Sequence, residues 1–483
     1  MKMNIARHGN PNRANHKNPS ERIPARQRHS LAAIILLMLF ALTMGPTSAL
    51  AATPSLVPAG MFSTLKSQIV DQNNNPVRLS CVYWMGMNGK DGQLANVNGP
   101  IVGIQANVNT IASIGFNCIR VDINNISLHD SGANAFLSQL DQVVAAAGNA
   151  GLRVIIVDHD NEGNFGNATY DCAAQQQNGI WYDLGGASDG TDGCNDAGHT
   201  TQASFQSDWV SIASRYANNN TVIGYDLWNE PLSYGKSTWG DGTNRDIHLM
   251  YQTVGSAILS KDPSKLIIAE CPQSYVAPLF DGTTGTPAPW GDCTGAKKNP
   301  VVFTVNGKAI TNKVVYDVHL YPDSVSDIAQ LFGGSSSSAS AIQAMNASFG
   351  FLVSQNIAPI WIGESGTGLT NDLDDQNWAV MLVNYLNGAL GSQGGPTFSG
   401  SQQGIGMAWM AWTTPVAPDS LGILKQNGAV DSAKLDLINP LLFYPVTPLP
   451  VAPLPVVPLP LPVAPLPVTH PLHPPRTRHR SRH

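Results

Sequence analysis

Between about residue 60 and residue 445 the chain repeats one unit. A short run of apolar, β-branched or aromatic residues is followed by a longer stretch with apolar positions every three or four residues. The short runs are Leu79–Trp84, Asn117–Asp122, Arg153–Asp158, Val222–Trp228, Lys265–Glu270, Lys313–His319, Pro359–Gly363 and Gly406–Trp412. Several are almost continuously apolar, the pattern of parallel strands covered on both faces. The longer stretches Gln105–Ile114, Ala133–Ala150, Gln202–Tyr216, Asp246–Leu259, Ile342–Ser354 and Asn377–Leu386 read as helices. Gly115 and Gly151 stand just after two of them, where a helix-terminating glycine belongs. Eight such units in succession predict a (β/α)8 TIM barrel, an α/β fold, as a single domain over residues 52–445. A doubly wound open sheet is the alternative. No G-x-G-x-x-G follows the first run, which weakens a dinucleotide-binding reading.

The two ends break this pattern differently. Residues 2–29 are polar and basic, Leu31–Gly45 is apolar, Pro46 interrupts, and Ala49-Leu50-Ala51 is a small-residue cleavage pattern. Residues 1–51 therefore read as a secretory signal peptide, with an uncleaved signal anchor as the alternative. No later segment is apolar enough to cross a bilayer, so the mature protein is expected to have no membrane span. In residues 446–483 proline recurs every second or third position before a basic end, RTRHRSRH. That composition reads as an extended polyproline spacer with a basic end, with attachment to an anionic envelope surface as the alternative. Six cysteines follow the cleavage point: Cys81, Cys118, Cys172, Cys194, Cys271 and Cys293. An even number in an exported chain implies disulfides. Cys172 with Cys194 and Cys271 with Cys293 would be local pairs. Cys81 and Cys118 could pair if their strands are neighbours. No paired Cys or Cys/His spacing suggests zinc.

With 43% hydrophobic and 12% charged residues the chain is neither disordered nor a coiled coil. The net charge of −6 hides a strongly acidic body between basic ends, which argues against nucleic acid as a partner and suits a neutral substrate. The long Gly/Asp/Asn-rich stretch from Asn161 to His199 reads as a solvated loop held by its cysteines. Its acids do not have EF-hand spacing. The chemistry concentrates at the C-terminal ends of the runs, where a barrel of this kind places its site. Those ends carry Arg120 and Asp122, Asp158 and His159, Asn229 and Glu230, Glu270, His319 and Tyr321, Glu364, then Trp409 and Trp412. The body holds four glutamates, Glu162, Glu230, Glu270 and Glu364. Glu230 and Glu364 end runs four and seven, whose tips face one another across an eight-membered ring. Paired carboxyls suit glycoside cleavage: one, protonated, releases the leaving oxygen, and the other, ionised, meets the anomeric carbon. Glu270 and Glu162 read as structural.

The segments YDLWNEP at 225–231, PIWIGES around Glu364, GFNCIRVD at 115–122 and VVYDVHLYP at 314–322 resemble glycoside hydrolase family 5, the cellulase clan of retaining β-glycosidases, over roughly residues 60–440. The resemblance is nearest to bacterial secreted endo-β-1,4-glucanases. It implies Glu230 as acid and then base, and Glu364 as nucleophile. It implies Asn229 on the sugar 2-hydroxyl, Tyr321 and Arg120 on Glu364, and His159 and His319 on sugar hydroxyls or on Glu230. It implies Trp412 as the stacking floor of the subsite before the cleaved bond, and Trp84 and Trp290 as further sugar platforms. The implied partner is a β-glucan polysaccharide or oligosaccharide, met by a secreted monomer that needs no metal and no organic cofactor. Within the family a β-mannanase or another β-glucanase is the runner-up. Outside it stand a non-catalytic glycan-binding barrel and a metal-dependent hydrolase using Asp158, His159, Asp160 and His319.

Overall fold

All eight apolar runs become strands, and the strands close on one another. The computed structural model of the chain describes residues 57–443 except 59, 90, 130–131, 162–179, 183–199, 233–236, 275–278, 283–287, 289, 323, 326–338, 370–372 and 414–420. The expected signal peptide, the proline-rich tail and the expected Cys172–Cys194 pair lie outside the described residues, as does most of the Asn161–His199 stretch.

A short hairpin comes first, β1 (Ser63–Leu65) and β2 (Gln68–Val70). The barrel strands follow: β3 (Ser80–Trp84), β4 (Cys118–Asn124), β5 (Arg153–Asp160), β6 (Val222–Asp226) and β7 (Leu266–Glu270). A second hairpin, β8 (Phe303–Val305) and β9 (Lys308–Ile310), interrupts them. The ring is completed by β10 (Val314–Leu320), β11 (Ile360–Ser365) and β12 (Gly406–Met410). Each barrel strand pairs in parallel with its neighbours, and β12 pairs with β3 to close the ring. The helices packed outside include α1 (Ile104–Ser113), α2 (Ala133–Asn149), α3 (Gln202–Arg215) and α4 (Ile247–Lys261).

Local chemistry accounts for these boundaries. Thr201 and Ser204 form a capping box at the start of α3, each side chain accepting the other's backbone N–H. Asp246 accepts the Leu249 N–H at the start of α4. Gly115 and Gly151 adopt φ of 98° and 77° just past α1 and α2. There a side chain would be strained, so both helix-end expectations hold. Neither hairpin is in the sequence reading. The second has an audible signal, Asn306-Gly307 with φ of 51° and 73° between two alternating runs, the signature of a tight two-residue turn.

Side chains alternate along each strand. Cys81, Cys118, Ile155, Ile223, Ile268, Val315, Trp361 and Ala408 turn inward and pack with Phe62, Ile69 and Leu79, forming an apolar layer at the foot of the barrel. Cys81 and Cys118 are register partners on β3 and β4 and are disulfide-bonded within this layer. Cys271 is bonded to Cys293, as their spacing suggests.

Candidate active site

Two residues further up the same strands, the inward positions change character. Above Cys118 come Arg120 and Asp122, above Ile268 comes Glu270, and above Val315 come Asp317 and His319. Arg120, Asp122, Glu270 and Asp317 are fully buried and His319 nearly so. On β11 alternation alone would turn Glu364 outward. The pairing of β10 with β11 slips after Val318, so that His319 lies beside Glu364. Gly363 occupies the intervening inward position. Its N–H donates to Asp317 Oδ1 at 2.5 Å, and a Cβ there would collide with the Asp317 carboxyl.

Glu230 lies beyond β6 with φ of 46°, a left-handed conformation that costs a non-glycine residue of order 1–3 kcal/mol. Its N–H donates to Glu270 Oε2 at 2.7 Å, which pins the turn. Glu270 is thus a supporting residue of the site that the sequence leaves as merely structural.

Arg120 is the hub. Nη1 donates to Glu364 Oε1 at 2.5 Å, and Nη2 donates to Asp226 Oδ2 at 2.9 Å and to Asn229 Oδ1 at 2.8 Å. The guanidinium also lies 4.8 Å from the centre of the Tyr83 ring. The other oxygen of Glu364, Oε2, accepts from the Tyr321 hydroxyl at 2.7 Å. Burial, and then the charges of Glu364 and Glu230, push the Tyr321 phenol well up, so it stays a donor. His319 Nδ1 is 3.0 Å from Glu230 Oε1 and 3.6 Å from Glu364 Oε2. One oxygen from each glutamate and a nitrogen of this ring lie within 4.8 Å of one another. Burial brings the His319 pKa down to about 3 against the pull of Glu364, with Arg120 and His159 adding to the lowering. The ring is therefore a neutral bridge between the two carboxyls.

His159 is the contrasting imidazole. Burial works against its charge, but Asp160, whose Oδ2 is 3.0 Å from Nδ1, then Glu364 and Asp122 outweigh it and raise the pKa to about 9. Its Nε2 is 3.9 Å from Glu364 Oε1. Burial first, then the charges of Asp317, Asp226 and Glu230, drives Glu270 well above the usual carboxyl range, and Asp317 rises for similar reasons. Asp226 rises to about 6, burial being partly offset by Arg120.

Among the described residues two side-chain groups are spaced to hold a metal ion, Glu230 with His319 and Glu364, and Glu270 with Asp317 and His319. They share His319, so they are alternatives. Asp158 belongs to neither. It follows Ile156 on the outward face of β5, where burial and then the charge of Asp208 on α3 push its carboxyl well above the usual range. The metal-hydrolase set Asp158, His159, Asp160 and His319 is therefore not assembled.

The tryptophan expectations need correction. Trp84 Nε1 donates to the Ala95 carbonyl, Trp290 Nε1 to Ser348 Oγ, and Trp412 Nε1 to Asn107 Oδ1 on α1. All three belong to the core between barrel and helices. Regular strand ends at Met410, so alternation no longer directs Trp412, whose ring packs outward. All ten tryptophans are buried, the most exposed being Trp239 at 7%. A stacking floor has to be reachable by the sugar, and none of these is.

Residues 70–414 match the model of the cellulase family, glycosyl hydrolase family 5. The chain belongs to that family. This family 5 glycoside hydrolase is 28% identical over 346 residues to an endoglucanase of Paenibacillus polymyxa, covering 68% of this chain and 77% of that one. It is 26% identical over 411 residues to the major extracellular endoglucanase of Xanthomonas campestris, covering 80% and 72%. Among solved structures, a cellotetraose complex of the endocellulase from Pyrococcus horikoshii superposes with TM-score 0.61 at 20% identity, covering 80% of this chain and 99% of that chain. The catalytic domain of the Xanthomonas enzyme superposes with TM-score 0.59 at 21% identity, covering 78% and 99%. These likenesses support the barrel, which the hydrolase forms as its sequence predicts.

Proposed function

We propose that this hydrolase cleaves β-1,4-glucan chains internally, by double displacement with net retention. The observation that carries the reading is the closeness of the Glu230 and Glu364 oxygens, within 4.8 Å and bridged by one imidazole. Retaining enzymes hold their carboxyls about 5–5.5 Å apart, and inverting ones leave room for a water. Glu364, held by Arg120 and Tyr321, attacks the anomeric carbon. Glu230, the more exposed of the two at 16%, protonates the leaving oxygen. A glycosyl-enzyme forms on Glu364, and Glu230 then takes the proton of the water that releases the sugar. No metal or organic cofactor enters either step. Asn229 supplies Nδ2, a buried donor with no hydrogen-bond partner among the described residues, to the sugar 2-hydroxyl. His319 orients Glu230, and His159 adds positive charge near Glu364. The names of the relatives, endoglucanases and an endocellulase studied with cellotetraose, support a glucan substrate. Together with the basic and then apolar leader they support secretion. Among the described residues no helix is long and apolar enough to cross a membrane.

The test is reducing-sugar release from carboxymethyl cellulose, mixed-linkage glucan, mannan and xylan, side by side, with proton NMR of the first product formed from a cello-oligosaccharide. The expected result is preference for the glucans and initial appearance of the β-anomer. Initial α-anomer would overturn retention, and preference for mannan would overturn the substrate.

A further inference from the structure

With every tryptophan buried, the sugar beside Glu364 needs another apolar surface. Strand β12 supplies one. Ala408 packs in the apolar foot of the barrel. Met410, two residues further on, points into the ring by the same alternation and is the one residue of β12 that is not buried. Its register partner is Tyr83, whose hydroxyl donates to Asp122 and whose ring lies under Arg120. The Met410 sulfur touches the hydroxyl of Tyr321, the group that donates to Glu364. Met410 thus meets the nucleophile's own hydrogen-bond partner from the side of the ring that β12 occupies, where Trp412 was expected to stand.

We propose that Met410 forms the apolar floor of the subsite that holds the sugar attacked by Glu364, so that a thioether rather than an indole carries that ring. The inference rests on the glycosidase reading above. Sugar rings have apolar C–H faces, and a methionine side chain is flexible and polarisable enough to follow one. It is also oxidisable. A peroxide transfers one oxygen to the sulfur, the O–O bond breaks, water or an alcohol leaves, and the thioether becomes a polar sulfoxide. Among the described residues the only methionines that are not buried are Met61 and Met410. Met61 lies just before the hairpin at the foot of the barrel, so peroxide reaches one methionine at the site.

The experiment compares wild type, Met410→Ala and Met410→Leu on a soluble cello-oligosaccharide, before and after hydrogen peroxide. Met410→Ala is expected to lose about 10-fold to 100-fold in kcat/KM, the effect of removing apolar contact in a pocket. Met410→Leu is expected to recover most of that loss. Peroxide should lower wild-type activity, methionine sulfoxide reductases should restore it, and Met410→Leu should resist. Thermal unfolding of each variant separates a lost contact from a lost fold. Met410→Ala within about twofold of wild type, or equal peroxide sensitivity in Met410→Leu, would overturn the floor and leave the glycosidase reading standing. A wild type inactive on every glycan tested would overturn that reading instead.

Discussion

The inside of the barrel has two storeys built by the same strands on the same face. At the foot stand Cys81, Cys118, Ile268, Val315, Trp361 and Ala408, apolar and closed beneath by the β1–β2 hairpin. Two residues higher stand Tyr83, Arg120, Glu270, Asp317, Gly363 and Met410, and above them the catalytic candidates. The lower storey gains stability by removing apolar surface from water. In the upper storey several buried carboxyls crowd round one guanidinium, and some of their oxygens have no hydrogen-bond partner among the described residues: Asp226 Oδ1, Glu270 Oε1 and Asp317 Oδ2. Burying polar groups in that way costs free energy. The foot carries the fold, and the top consumes part of that stability to aim donors and acceptors at a bond. Substitutions on the two levels should therefore separate activity from stability.

The sharpest separation is expected at Glu364. Glu364→Gln keeps the shape and one acceptor for Arg120, so its melting temperature should stay within a few degrees of wild type. Its kcat should fall by about 10⁴-fold or more, the scale seen when a residue that acts as part of a catalytic unit is removed. Activity within tenfold of wild type would place the nucleophile elsewhere. The opposite outcome is expected at Trp361, on the same strand three residues earlier. Its indole is 1% exposed and its Nε1 donates to the Leu79 carbonyl. Trp361→Ala should cost about 3–5 kcal/mol in denaturant unfolding while kcat per folded molecule changes little. A large drop in kcat with unchanged stability would join the two storeys into one functional unit.

The two storeys were not equally legible in the sequence. The strands and the ring could be read because parallel strands buried on both faces are dense in Val, Ile and aromatic residues, and that density survives in a single chain. Glu230 and Glu364 could be read because each interrupts such a run at its end. Glu270 could not, because its task is to accept the backbone N–H of Glu230, forty positions away. Asp226 sits inside YDLW, and alternation from the inward Ile223 would turn it outward; the pairing of β5 with β6 slips after Val154, an irregularity that no sequence pattern announces. The tryptophans misled for a related reason. Abundance beside a site does not say which way a ring points, and Trp412 lies past the last regular residue of its strand. Met410 carried the information instead, through its even spacing from Ala408.

The charge at His159 gives the smallest and subtlest contrast. Its pKa rises from an ordinary 6.5 to about 9 on folding, with burial opposing and Asp160 leading the effects that favour the charged ring. A raised histidine contributes stability that is fully present below 6.5 and is lost as pH climbs through 9. The difference of two to three units corresponds to ~3 kcal/mol at most. Asp226, raised to about 6, also favours the folded state more at lower pH, and its influence is spent below 7. The informative window is therefore pH 7 to 10. There the gap in melting temperature between wild type and His159→Gln should narrow steadily as pH rises, because the wild type alone loses a buried cation paired with Asp160. Parallel curves across that window would mean that His159 is neutral throughout. The positive charge near Glu364 would then belong to Arg120 alone, and the two imidazoles of the upper storey would no longer differ.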